Sequence, residues 1–142
     1  MNMGAAVRSC FAKYVTFSGR ALRSEYWWFT LFNLLMSVVL NIVDAVVFGS
    51  GGQVAILSAI YSLIVLLPAI SVMVRRLHDH GRTGWWFFIM LVPMIGMLVL
   101  LYWMIVKGSD EANDYGPVPG SEDEAAPQDS FVDSPIPTVD RD

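Results

Sequence analysis

Three stretches of about twenty residues, Trp27 to Phe48, Val54 to Val74 and Trp85 to Val106, are almost wholly apolar and hold one formal charge between them, Asp44. A helix rises about 1.5 Å per residue and the hydrocarbon core of a bilayer is about 30 Å thick, so each stretch is long enough to cross it. The chain has 142 residues, 55 % of them hydrophobic, and retains too little polar sequence to cover three such runs in water. The expected fold is therefore an all-α membrane protein with three transmembrane helices at residues 27–48, 54–74 and 85–106. An amino-terminal interfacial helix completes a membrane domain over residues 1–120, and residues 121–142 form a disordered acidic tail. There is no room for a separate catalytic domain.

The net charge of -4 conceals a segregation. Through Val106 seven basic residues face three acidic ones, whereas from Lys107 onward two basic residues face ten acidic ones. Arg8, Lys13, Arg20 and Arg23 precede the first span, and Arg75, Arg76 and Arg82 lie between the second and third. Short loops rich in Lys and Arg are retained in the cytoplasm, so the amino terminus is expected inside, the uncharged turn at Gly49–Gly52 outside, and the acidic tail outside. Tyr26-Trp27-Trp28, Trp85-Trp86 and Tyr102-Trp103 suit anchors at the span ends. Beyond Gly108, five prolines and few aliphatics leave too little apolar surface to offset the entropy of ordering.

Val7, Phe11, Tyr14 and Val15 recur at helical spacing over residues 5–17, the pattern of a helix in the headgroup layer or packed on the bundle. Ser18 is placed to cap a following helix, and Gly19 relieves the bend. Cys10, the single cysteine, has no internal disulfide partner and reads as a small apolar residue.

Within the first span, Thr30, Asn33, Ser37, Asn41 and Asp44 step by three or four residues and so share one helix face. Such a stripe is expected to hydrogen-bond neighbouring helices, each bond contributing about 0.6–2 kcal/mol. The alternative is a wetted path with Asp44 at its outer mouth. The small-residue pairs Ala55/Ala59 and Ser58/Ser62 offer the second span as a close-packing surface for the first. Pro68 and Pro93, the latter near Gly96, are expected to kink their helices.

The densest polar cluster is Arg75-Arg76-Leu77-His78-Asp79-His80-Gly81-Arg82, which meets Arg20, Arg23 and Glu25 at the same depth. Pairing of Glu25 with Arg75 or Arg76, and of Asp79 with Arg20 or Arg23, would make a staple of partly desolvated ion pairs. The competing use is recognition of anionic headgroups by arginine forks, or acid–base chemistry at His78. One cysteine and two histidines do not supply a four-ligand zinc set without carboxylates. There is no phosphate-binding loop, no G-x-S-x-G and no H-E-x-x-H, so no catalytic, metal or cofactor site is assigned.

These motifs resemble the small bacterial inner-membrane family called domain of unknown function 805. The resemblance runs from about Phe11 to Pro119. It rests on Tyr14, Phe17, Gly19-Arg20, Arg23 and Glu25-Tyr26-Trp27, on Arg75-Arg76-Leu77-His78-Asp79 with Gly81 and Gly84-Trp85-Trp86, and on Pro93, Gly96, Asn113, Tyr115-Gly116-Pro117 and Pro119. Arg82 stands where the family tends to small hydroxyl residues. The resemblance implies an integral protein of the bacterial cytoplasmic membrane with no established activity, substrate or cofactor. The expected role is that of a structural or interaction protein contacting lipid headgroups, itself or a membrane partner, with no nucleic acid involved. The rivals are a small oligomeric transporter or channel lined by the Asn33–Asp44 stripe, and a lipid-modifying enzyme using His78 and Asp79.

Overall fold

The computed structural model describes residues 2–49 and 55–121, and the Gly49–Gly52 turn and the tail beyond Ser121 lie largely or wholly outside them. Among the described residues the regular elements are all helices: α1 (Met3–Ala12), α2 (Arg23–Phe48), α3 (Ile56–Asp79), a 3-10 segment (Gly84–Leu91) and α4 (Ile95–Ile105).

α1 starts on Asn2, whose side-chain oxygen accepts from the Ala5 N–H at 2.8 Å and so satisfies one of the free amides of the first turn. It stops at Ala12, shorter than the apolar spacing suggested. Its small residues Ala6 and Cys10 are fully buried, and Cys10 packs with Ala21, Phe29 and Val72. The helix is therefore laid on α2 and α3 by close approach of small side chains. Ser18 does not cap α2, which begins five residues later with Leu22 at the cap position. Gly19 takes a left-handed φ of 85°, and the link is pinned instead by the Ala21 N–H donating to the Arg75 carbonyl at 3.1 Å.

α2 and α3 are both long and apolar enough to cross a membrane. At 26 and 24 residues they measure about 39 and 36 Å. Their outer surfaces are greasy: Leu34, Val46 and Leu63 are 61 %, 79 % and 71 % exposed, a patch that water would not tolerate. Pro68 lies buried inside α3, which runs on to Asp79 and so makes Arg75–Asp79 helical.

The third apolar stretch departs from expectation. A single crossing helix over Trp85–Val106 is replaced by two short arms, the 3-10 segment and α4, joined by a reversal at Val92–Met94. Pro93 lacks an amide hydrogen and disfavours helical backbone at the residue before it, which ends the first arm. Met94 then adopts a left-handed φ of 65°, and Gly96 lets α4 close on the Ile89 backbone, where any Cβ would strike the Ile89 carbonyl. Each arm is about 16 Å long, half of a hydrocarbon core.

The chain consequently returns to the end it left. The Trp103 carbonyl lies 2.6 Å from His80 Nε2, and the Ser109 N–H donates to the Asp79 carbonyl at 2.8 Å. The expected placement of everything after Val106 at the far end of the bundle is corrected for residues 107–121, which pack beside the start of α2 and the end of α3. Leu77, Leu100, Trp103 and Met104 form the second core cluster at this same end, and Tyr26 touches both clusters.

Candidate functional site

Two buried carboxylates organise the polar end of the bundle. Glu25, in the first turn of α2, is favoured there by the positive end of the helix dipole. Its Oε1 accepts from Arg75 Nη1 at 3.0 Å, from Ser9 Oγ at 3.0 Å and from the Cys10 thiol at 3.7 Å. α1, α2 and α3 are thus joined through one oxygen. Burial and the adjacent Glu25 push the Cys10 thiol up to about 12, so it remains a protonated donor and not a nucleophile.

Asp79, at the end of α3, receives Arg20 through Nε at 3.0 Å and Nη2 at 2.9 Å on Oδ1, and Arg76 Nη1 on Oδ2. Residues 76 and 79 meet because one helical turn separates them. Arg20 also reaches the carbonyls of Ser109 at 2.6 Å, Glu111 at 2.8 Å and Gly116 at 3.3 Å. Arg76 donates to the Val106 carbonyl. The guanidinium forks therefore clamp the segment that follows α4. Gly108 fits because a Cβ there would strike the Asp79 carboxylate.

Most of the arginines expected to read headgroups are not presented to the surface. Arg20, Arg75 and Arg76 are buried, and their charge is used internally. Among the described residues Arg75 Nε and Nη2 and Arg76 Nε have no hydrogen-bond partner, a desolvation cost carried within the cluster. Arg23 is exposed and takes no part in the ion pairs, making one long hydrogen bond of 3.4 Å to the Ile105 carbonyl.

His78 Nδ1 lies 3.0 Å from the Gly19 carbonyl, and one ring face stacks on Tyr115 at 3.9 Å with an interplanar angle of 6°. Tyr115 belongs to a tight turn closed by Asn113 and Gly116, whose reciprocal backbone bonds are 3.1 and 3.0 Å. The Asn113 amide donates to the His78 carbonyl at 2.9 Å. Nothing in hydropathy marks this turn as a docking element. Its only sequence signal is the Asn113, Tyr115-Gly116-Pro117 motif. His80 is held neutral by burial and by the charge of Arg76, which depress its affinity for a proton. Arg82 stacks over Trp86 and Trp103, 5.2 and 4.5 Å from the ring centroids.

The polar stripe of α2 is also engaged. Asp44 accepts from the N–H groups of Leu57 and Ser58 at 3.0 and 2.9 Å and from Ser58 Oγ at 2.8 Å, so a side chain of α2 caps α3. Tyr61 donates to Asn33 Oδ1 at 2.7 Å. Thr30 bonds the Tyr26 carbonyl, while Asn41 bonds that of Ser37. Among the described residues no group of three metal-ligating side chains comes together.

Residues 14–117 match the family described as Protein of unknown function (DUF805). Inner membrane protein YhaI of Escherichia coli (strain K12) is 41 % identical over 108 residues, 76 % of this chain and 89 % of that one. Inner membrane protein YhaH of the same organism is 40 % identical over 110 residues, covering 77 % and 91 %. Uncharacterized protein YiiR is 35 % identical over 100 residues, 66 % of this chain and 60 % of its own. No solved structure matches.

Proposed function

From the membership of this chain in the DUF805 family, proteins of unknown function, we propose an integral protein of the bacterial inner membrane that works through lipid or protein contacts and not through catalysis. α2 and α3 cross the bilayer, and the 3-10 segment and α4 form a re-entrant hairpin. The arginine-rich end, with residues 2–22 and 107–121, faces the cytoplasm by the excess of basic residues in its loops. In this reading residues 107–121 lie on the cytoplasmic side, opposite to the outer side expected from the charge pattern.

The observation that carries this reading is the Arg20 fork, which joins the link before α2, the end of α3 and the segment after α4 through one carboxylate and several carbonyls. It supports a rigid polar platform at the membrane surface. Both buried carboxylates there already accept from arginine, whereas a general base needs a lone pair facing its substrate. The transport alternative lacks comparable support, since Asp44 caps α3 and Asn33 bonds Tyr61.

With Cys10→Ala as background, a cysteine at 110 should label only from the cytoplasmic side and one at 50 only from outside. In native lipid discs Arg20→Gln should stay inserted yet expose residues 107–121 to protease. Solute flux in proteoliposomes that depends on Asp44, or turnover that depends on His78 and Asp79, would overturn the proposal.

A further inference from the structure

We propose that the start of α2 and the returning end of α4 hold the phosphodiester of one membrane glycerophospholipid, with Arg23 and Lys107 on the phosphate and an acyl chain along Trp27. The inference rests on the reading that this end of the bundle lies in the headgroup layer. Two cavities meet there and share Leu22 and Arg23. The smaller, about 130 Å³, carries the charged side chains Arg23, Lys107, Asp79 and Asp110 beside Leu22 and Val118. At about 30 Å³ per water it has the scale of a phosphate with its ester oxygens. The other, about 560 Å³, is walled by Leu22, Trp27 and Ile105, with Ser24 at its edge. Charged side chains in one cavity, beside the Trp27 and Ile105 wall of the other, match a molecule with a phosphate at the end of a hydrocarbon chain.

Charge supports the same occupant. Asp79 is held by both Arg20 and Arg76, and Asp110 by Lys107, so Arg23 is the lining cation that no carboxylate among the described residues holds. Among the described residues Arg23 makes only its long bond to the Ile105 carbonyl, which leaves its planar fork to grip two phosphate oxygens. Lys107 is 69 % exposed, and its pairing with Asp110 is open to exchange for a phosphate. Trp27 donates through Nε1 to the Met104 carbonyl at 3.1 Å, fixing its ring as a wall of the furrow.

The delipidated full chain in a neutral detergent is titrated with dioctanoyl phosphatidylglycerol, and bound lipid is counted by native mass spectrometry. Parallel titrations use dioctanoylglycerol and inorganic phosphate. One phospholipid should bind, and the Arg23→Gln/Lys107→Gln double variant should weaken it by about tenfold or more. Dioctanoylglycerol and inorganic phosphate should each bind at least about tenfold more weakly than the phospholipid. Lys107→Gln alone, at an exposed site, reads the same loss if the double variant fails to fold. Unchanged affinity in a folded variant overturns the inference. Equal binding of dioctanoylglycerol reduces the site to a greasy furrow, and equal binding of phosphate reduces it to a free-anion site; either also overturns it. A wild-type protein that inserts with a protected 107–121 segment but retains no lipid sinks this inference and leaves the platform standing.

Discussion

Glu25 and Asp110 are both carboxylates in ion pairs, yet their surroundings separate them. Glu25 and Arg75 are buried, whereas the Lys107–Asp110 pair stands in solvent. Removing Glu25 strands a buried guanidinium, so Glu25→Ala should lower stability by about 3–5 kcal/mol. Asp110→Ala should change it by less than about 1 kcal/mol. Thermal unfolding in detergent measures both, and equal effects would refute the buried pairing. Glu25→Leu/Arg75→Met should recover most of the loss, because the cost arises from the unpaired charge.

His80 gives the pH dependence a sign. Its proton affinity is depressed in the fold by burial and Arg76, with Arg82 adding repulsion and Asp79 opposing it. The unfolded chain therefore binds the proton first, near the ordinary value of 6.5. The stability His80 contributes is complete above that pH and is lost as pH falls through the depressed value. The melting temperature should decline on acidification below about pH 6.5, and His80→Gln, which can still donate to the Trp103 carbonyl, should make that decline shallower. An unchanged acid limb in the variant would remove His80 as its source.

At the level of elements, the reversal at Val92–Met94 decides the topology. Met94 holds a left-handed backbone that costs an ordinary residue about 1–2 kcal/mol, so Met94→Gly should be neutral or raise stability by up to about 1 kcal/mol. Gly96→Val should lower it by about 3 kcal/mol by driving α4 off the Ile89 backbone. Calorimetry in lipid discs checks the pair, and a harmless Gly96→Val would mean that the two arms do not meet. Pro93 and Gly96 were visible in the sequence, but a proline in an apolar run serves equally for a kink or a reversal. Length and hydropathy read the stretch as a crossing because two half-length arms have the same composition as one full-length helix.

For the whole molecule, the segment after α4 behaves as part of the polar end. Arg20 bonds three of its carbonyls, and His78 stacks on Tyr115. Truncation after Val106 should therefore lower the melting temperature markedly, whereas truncation after Ser121 should leave it within a degree or two, as expected for a change of well under about 1 kcal/mol. Matching losses would show that the described segment adds nothing. The sequence placed Arg20, Glu25, Arg75, Arg76 and Asp79 in one layer and offered each carboxylate two partners, but it missed the Arg76–Asp79 pair. It could not choose between them, since that depends on the phase of α3 as it continues past Val74. Arg23, grouped with the other arginines by spacing, was left outside the ion pairs for the same reason.

The order of residues alone determined that the chain belongs in lipid and that its cations gather at one end, because hydrocarbon length and charge placement are local properties of the string. Tertiary structure decided that the third apolar stretch turns back, that Asp44 caps a neighbouring helix, and that buried arginines bind the chain's own carbonyls. Those outcomes depend on which backbone oxygen lies within three ångströms of a given donor, a distance that exists only after the helices have packed.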